Sequence, residues 1–196
     1  MRSKYFDKNS YNAVFQKMQY ENVLAMRVSL ETGLRIDDVL SLRPTNLSHK
    51  SYIECIAKKT GKKAVKKISQ RLYTQLIKNS GEFWVFPSPK DERQHRTRQA
   101  VWCDIKKAGG WVGGLSPHSA RKTYAVETMH NNGIGAVQKE LQHSRIDTTM
   151  LYAFSDIMNG GGSKRLEFSE MELNHFAQIV AEKIIDYMKN NIGKRL

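Results

Sequence analysis

The chain has 196 residues, a formal net charge of +13 and a hydrophobic share of 40%. That length and apolar content suit one folded domain rather than a disordered polycation, and the charge points to a polyanionic partner: DNA, RNA or an anionic membrane surface. No apolar run reaches the roughly 20 residues of a membrane-spanning helix, and the opening MRSKYFDKNS has no signal-peptide core, so a cytoplasmic protein is expected.

Residues 11–31 place Val14, Phe15, Met18, Val23, Leu24, Met26 and Leu30 at helical intervals, predicting one long helix that Gly33 stops. RIDDVLSL starts a second, short helix with Val39, Leu40 and Leu42 inward. SYIECIAKK reads as a strand, KTGKK as a tight turn and AVKKIS as a returning strand, together a lysine-rich hairpin. A helix is predicted over 70–79, then the apolar run Phe83-Trp84-Val85-Phe86, ended by Pro87 and Pro89. Residues 92–108 predict a basic helix that includes Arg96 and Arg98 and is broken by Gly109, Gly110, Gly113 and Gly114. Ser116-Pro117 opens the next helix, serine as N-cap and proline in the first turn, and Asn131-Asn132-Gly133 ends it.

Shorter helices are predicted around 135–142 and 147–154, the second capped by Asp147. Gly160-Gly161-Gly162 forms a flexible joint before a last amphipathic helix over 168–190. Its stripe of Ile179, Val180, Ile184, Ile185 and Met188 suits packing on its own domain or on a neighbouring protomer, with exchange between protomers slightly favoured. Cys55 and Cys103 lack C-x-x-C spacing and read as small, half-buried hydrophobes. The fold class is mostly α with one small antiparallel β-sheet, an α+β arrangement.

Four segments carry the chemistry. In Leu115-Ser116-Pro117-His118-Ser119-Ala120-Arg121, the helix start puts His118 and Arg121 on one face of the first turn, beside free N–H groups and the positive dipole end. An imidazole, a guanidinium and a helix N-terminus make a phosphate receptor, although H-x-x-R alone more often describes two solvated residues. In Leu141-Gln142-His143-Ser144-Arg145-Ile146-Asp147-Thr148-Thr149-Met150-Leu151-Tyr152, a tight turn lets His143 and Tyr152 approach one site. A tyrosine becomes a nucleophile when cations favour its phenolate and a base takes its proton; taken singly, Tyr152 also suits helix packing. In Glu31-Thr32-Gly33-Leu34-Arg35-Ile36-Asp37-Asp38, Arg35 sits beside a helix start, and Asp38 is expected to hold its guanidinium. The hairpin adds Lys58, Lys59, Lys62, Lys63, Lys66 and Lys67, a density that suits a DNA backbone and also suits a protected sheet edge.

Together these segments resemble the catalytic domain of the tyrosine recombinase (phage integrase) family, which carries them in this order. ETGLRIDDVL resembles the first-arginine motif, KKTGKK the hairpin with its lysine, LSPHSARKT the H-x-x-R motif and LQHSRIDTTMLY the closing motif. The resemblance covers about residues 11–155 and implies the breaking-rejoining fold, with Arg35, Lys59, His118, Arg121, His143 and Tyr152 as the active site. Asp38 would support Arg35, standing where the family more often has glutamate. The catalytic helices begin almost at Met1, so the separate helical DNA-binding domain that precedes them in the family is expected to be absent.

The resemblance implies cleavage and rejoining of double-stranded DNA through a 3′-phosphotyrosyl link on Tyr152, with no metal or other cofactor. Arg35, Arg121 and His143 would stabilise the transition state, with His118 as base and Lys59 as acid. Lys58, Lys62, Lys63, Arg96 and Arg98 are expected to contact the DNA backbone. Residues 1–160 are expected to form the catalytic domain and 161–196 the joint and tail. A monomer in isolation and a tetramer on DNA follow from the same resemblance. Two other functions fit the residues: a non-catalytic DNA-binding regulator of the same fold, or a relaxing enzyme of the type IB topoisomerase kind.

Overall fold

The computed structural model describes residue 6, residues 8–48, 51–109 and 114–141, and scattered positions between 170 and 185 that are helical and exposed. The long first helix expected over 11–31 is two helices, α1 (Lys8–Phe15) and α2 (Tyr20–Thr32). The chain breaks where the backbone N–H of Gln19 donates to Asp104 Oδ2 at 2.8 Å and Asn22 Nδ2 to the same oxygen at 2.7 Å. A carboxylate distant in sequence thus caps α2, taking the N–H of its N-cap residue, which a continuous helix would have bonded internally, together with the side-chain amide of Asn22. Apolar periodicity carries no trace of that partner.

α2 is the central element. Val23, Leu24, Ala25, Met26 and Val28 are buried, and so are Asn22, Ser29 and Thr32. A helix covered on nearly all sides needs neighbours all round. They include α3 (Ile36–Leu40), α4 (Gln70–Asn79) and α6 (Pro117–Asn132). Ser29 and Thr32 satisfy their hydroxyls locally, Ser29 Oγ donating to Leu34 O and Thr32 Oγ1 to Val28 O. Ser69 caps α4, its hydroxyl accepting the N–H of Leu72.

The sheet has three antiparallel strands in the order β1 (Leu47–Ser48), β2 (Tyr52–Ile56), β3 (Lys63–Lys67). The short β1 is unforeseen, since two residues give no alternation to read. Pairing of Cys55 with Ala64 and Ile53 with Lys66 fixes the hairpin register, and buried Ile53, Ala64 and Ile68 seat one face on the core. The opposite face leaves Ile56 and Val65 exposed. Gly61 closes the turn at φ +65°, its N–H donating to Ala57 O at 2.8 Å.

The basic helix expected over 92–108 is α5 (Arg98–Lys107), which starts later. Asp91 ties residues 91–94 into a turn, accepting from Arg93 N and Gln94 Nε2, and Pro87 bridges His95. Thr97 then caps α5 by accepting the N–H of Ala100 at 3.1 Å. α6 begins at Pro117 as predicted, and α7 (Ile134–Glu140) follows Gly133. The predicted helices 147–154 and 168–190, and Gly160-Gly161-Gly162, lie wholly or mostly outside the described residues. Among the described residues no helix is long and apolar enough to cross a membrane.

Candidate active site

Helix starts and two backbone carbonyls build the cationic centre. Arg35 is the half-buried N-cap of α3; its carbonyl accepts the N–H of Val39 at 3.0 Å, and its side chain does not cap the helix. His118 and Arg121 lie in the opening turns of α6, where Ser116 N donates to Ser119 Oγ at 3.1 Å. Arg121 is buried, at 7% exposure, and its guanidinium is held by backbone: Nη1 donates to Gly33 O at 2.5 Å and Nη2 to Leu141 O at 2.9 Å. Those carbonyls come from the end of α2 and the end of α7, so the arginine fork is fixed by two separate elements.

Gly33 makes this arrangement possible. It adopts φ +69° as the C-cap of α2, its N–H donating to Ser29 O. A Cβ there would meet Tyr124 Cδ1 at 2.4 Å and Leu141 Cδ2 at 2.6 Å. Only glycine combines the left-handed turn with that close approach.

His118 feels the surrounding charge. Its pKa is lowered from the ordinary 6.5, first by desolvation, then by Arg98, Arg121 and Arg35, against an opposing pull from Asp37. The ring nevertheless keeps an open face to solvent. Arg98 reaches this group because it opens α5, and its Nη1 lies 3.6 Å from Asp37 Oδ2. Arg98, Asp37, Arg121 and Arg35 are thus close enough for their charges to act on His118. His143 and Tyr152 lie outside the described residues.

Asp38 departs from expectation. It is buried, and its Oδ1 accepts the backbone N–H of Lys58 at 2.9 Å instead of holding Arg35. Its position in α3 turns the carboxylate inward, toward the end of β2. The effect is to tie the hairpin turn to the helix that carries Arg35, one residue before Lys59. Lys58, Lys59, Lys62 and Lys63 are exposed on that hairpin, Lys63 pairing with Glu54 at 3.0 Å. Cys55 lies on the inner side of β2, where burial and Asp38 push its thiol up to about 11, so it stays protonated and inert.

Arg96 is a second correction. At 6% exposure its Nη1 donates to Gln19 Oε1 at 2.9 Å and Asn22 Oδ1 at 3.2 Å, with Glu21 3.6 Å from Nη2. It precedes α5 rather than lying on its exposed face, so it braces the start of α2 and is not presented to a DNA backbone.

A family model described as the phage integrase family matches residues 4–157. The chain belongs to the phage integrase family. It is similar to the tyrosine recombinase XerD of Rhizobium meliloti (strain 1021), 31% identical over 134 residues that cover 62% of this chain and 43% of that protein. The integrase of Escherichia phage P2 is 30% identical over 125 residues, covering 63% of this chain and 35% of the phage protein. The chain thus spans less than half the length of these relatives. Among solved structures, a lambda integrase (75-356) dimer bound to a COC′ core site has a TM-score of 0.67 at 17% identity, covering 86% of this chain and 64% of that one. The catalytic domain of bacteriophage HP1 integrase has a TM-score of 0.58 at 19% identity, covering 81% and 93%. These likenesses establish the fold of this integrase-family chain.

The site also contains groups that motif reading passes over. Asp37 is the counter-ion beside His118, and the carbonyls of Gly33 and Leu141 hold Arg121. Backbone carbonyls carry no residue-type signal. Asp37 did have one, an acidic residue in the first turn of a helix beside two motif positions.

Proposed function

We propose that this chain is the catalytic domain of a site-specific DNA recombinase that cuts and rejoins strands through a 3′-phosphotyrosyl intermediate on Tyr152. The observation that carries this reading is the fixed guanidinium of Arg121 on the same opening turns of α6 as His118, with Arg35 and Arg98 near enough for their charges to act there, in a chain of this family. Such a cluster is a receptor for one phosphodiester anion.

In this reading Arg35 and Arg121 bind the nonbridging oxygens and stabilise the charge of the pentavalent transition state, with His143 adding a hydrogen bond. The phenol oxygen of Tyr152 attacks phosphorus and gives its proton to His118. The 5′-oxygen leaves and takes a proton from Lys59. The lowered pKa of His118 supports a base that is free to accept a proton near neutrality. Because the covalent link keeps the phosphoester, the reverse attack by a 5′-hydroxyl rejoins DNA without an external energy source. Asp38 holds the turn that presents Lys59, and exposed Lys58, Lys62, Lys63 and Arg98 neutralise flanking phosphates.

Residues 1–160 form the catalytic unit in this proposal, and the tail at 161–196 reaches a neighbouring protomer in an assembly of four on DNA. One solved relative is described as a lambda integrase tetramer bound to a Holliday junction. A cytoplasmic location goes with that substrate. Incubation with a nicked suicide duplex tests the chemistry: the parent yields a protein–DNA adduct stable on denaturing gels, and Tyr152→Phe yields none while still binding. An adduct that persists in Tyr152→Phe removes Tyr152 from the role. Supercoil relaxation without any partner exchange favours a relaxing enzyme instead.

A further inference from the structure

The short stretch Glu140-Leu141 holds two sides of the site at once. The Leu141 carbonyl accepts Arg121 Nη2, while the Glu140 carbonyl accepts Lys66 Nζ at 2.8 Å and the Glu140 carboxylate pairs with the same ammonium. Lys66 belongs to β3, the strand that returns from the Lys59 turn, and its side chain is only 12% exposed. Tyr124, three residues beyond Arg121 on α6, completes the cluster. Its hydroxyl donates to Glu140 Oε2 at 3.2 Å, its ring lies 5.8 Å from Lys66 Nζ, and the same ring fills the space that a Cβ on Gly33 would enter.

We propose that Glu140 and Lys66 are positioning residues for DNA cleavage: their ion pair, closed by Tyr124, ties the Lys59 hairpin to the elements that hold Arg121. This rests on the recombinase reading above for its catalytic consequence, but the tie itself is a property of the fold. β3 is the edge strand of a small sheet, and a hairpin of five-residue strands is marginal without outside support. Its inner face is seated by buried Ile53, Ala64 and Ile68, and Lys66 is the charged residue among them. Hydrogen bonding from Lys66 holds the Glu140 carboxyl below the usual carboxylate range. Removing the carboxylate leaves a largely covered ammonium without its counter-charge, and β3 must shift to return that ammonium to water. The shift moves Lys59 relative to Arg121, and misplacement of a catalytic group by an ångström costs rate without costing affinity.

The test compares Glu140→Gln, Lys66→Met and the conservative Lys66→Arg with the full parent chain. Amide exchange is read across β2 and β3, and single-turnover cleavage of a nicked suicide duplex is read with protein in excess. Glu140→Gln and Lys66→Met are expected to speed exchange in the hairpin and to slow cleavage about tenfold, with DNA affinity within about threefold of the parent. Lys66→Arg retains most of both. A purely structural role predicts instead a lower thermal midpoint, with cleavage restored on cooling. Unchanged hairpin exchange in Glu140→Gln overturns the tie, and cleavage within about twofold of the parent overturns its catalytic consequence. Because exchange is read without DNA, it decides the tie even if the parent forms no adduct, a result that would end the recombinase reading and with it the catalytic part alone.

Discussion

His118 is set apart from an ordinary surface histidine by its company. Desolvation and the guanidiniums of Arg98, Arg121 and Arg35 all disfavour the imidazolium, and Asp37 opposes them only in part. The imidazolium is therefore less favoured in the free protein than in an unperturbed histidine. A bound phosphodiester brings negative charge into the same cluster, and it must raise the ring's midpoint. Proton NMR titration of the ring is expected to give a midpoint under 6.5 without DNA and a higher one with a non-cleavable duplex, while Arg98→Ala raises the free value. The sign for stability follows. A histidine with a depressed folded pKa contributes stability above its unfolded value, and that contribution is lost as pH falls through the folded value. His118→Asn should flatten that acid limb of the stability profile. A free-protein midpoint at or above the ordinary value would remove the electrostatic account of this residue.

At the scale of elements, Gly33 joins α2, α6 and the end of α7. An alanine there combines left-handed backbone strain with overlap against Tyr124 and Leu141, and together these cost about 2–4 kcal/mol. For a domain of this size that corresponds to a fall of roughly 5–15 °C in Tm, readable by thermal melting. Cleavage should fall further than the melting point alone implies, because the Gly33 carbonyl holds Arg121. A Gly33→Ala protein that melts with the parent would show that Tyr124 and Leu141 yield freely.

Local signals made much of this architecture legible. Gly33, Gly61 and Ser116-Pro117 each gave their element's end or start because turn and cap chemistry is local. What escaped the sequence was set by distant partners. The break between α1 and α2 depends on Asp104, and the inward turn of Asp38 depends on the Lys58 amide. The late start of α5 was partly local: Asp91 and Thr97 were both present to mark it, but the run of basic residues from Arg93 to Arg98 read as a helix face. Motif order singled out Arg35, His118 and Arg121, whereas the carbonyls that anchor Arg121 had no sequence signature.

For the whole molecule, the formal charge of +13 divides into two populations with different work. Lys66 and Arg96 are turned inward, and their charges are met by carboxylates, amides or a backbone carbonyl within the fold. Lys58 and Lys62 are exposed on the hairpin turn, while exposed Lys63 shares its charge with Glu54. Only charges open to solvent can displace counterions from a DNA backbone, so sequence counting overstates the electrostatic footprint. Each phosphate neutralised contributes about −0.9 to the slope of log K against log salt. Lys58→Gln and Lys62→Gln should each reduce the magnitude of that slope by about one, with little change in melting. Lys63→Gln should reduce it less, because Glu54 already screens that ammonium. Arg96→Gln makes the opposite pair of changes: the slope holds, and Tm falls as Gln19 and Asn22 lose a buried partner. Salt titrations of duplex binding, run beside thermal melts of the same four variants, separate the two populations. A slope change on Arg96→Gln equal to that on Lys58→Gln would mean that the buried guanidinium swings out to meet DNA.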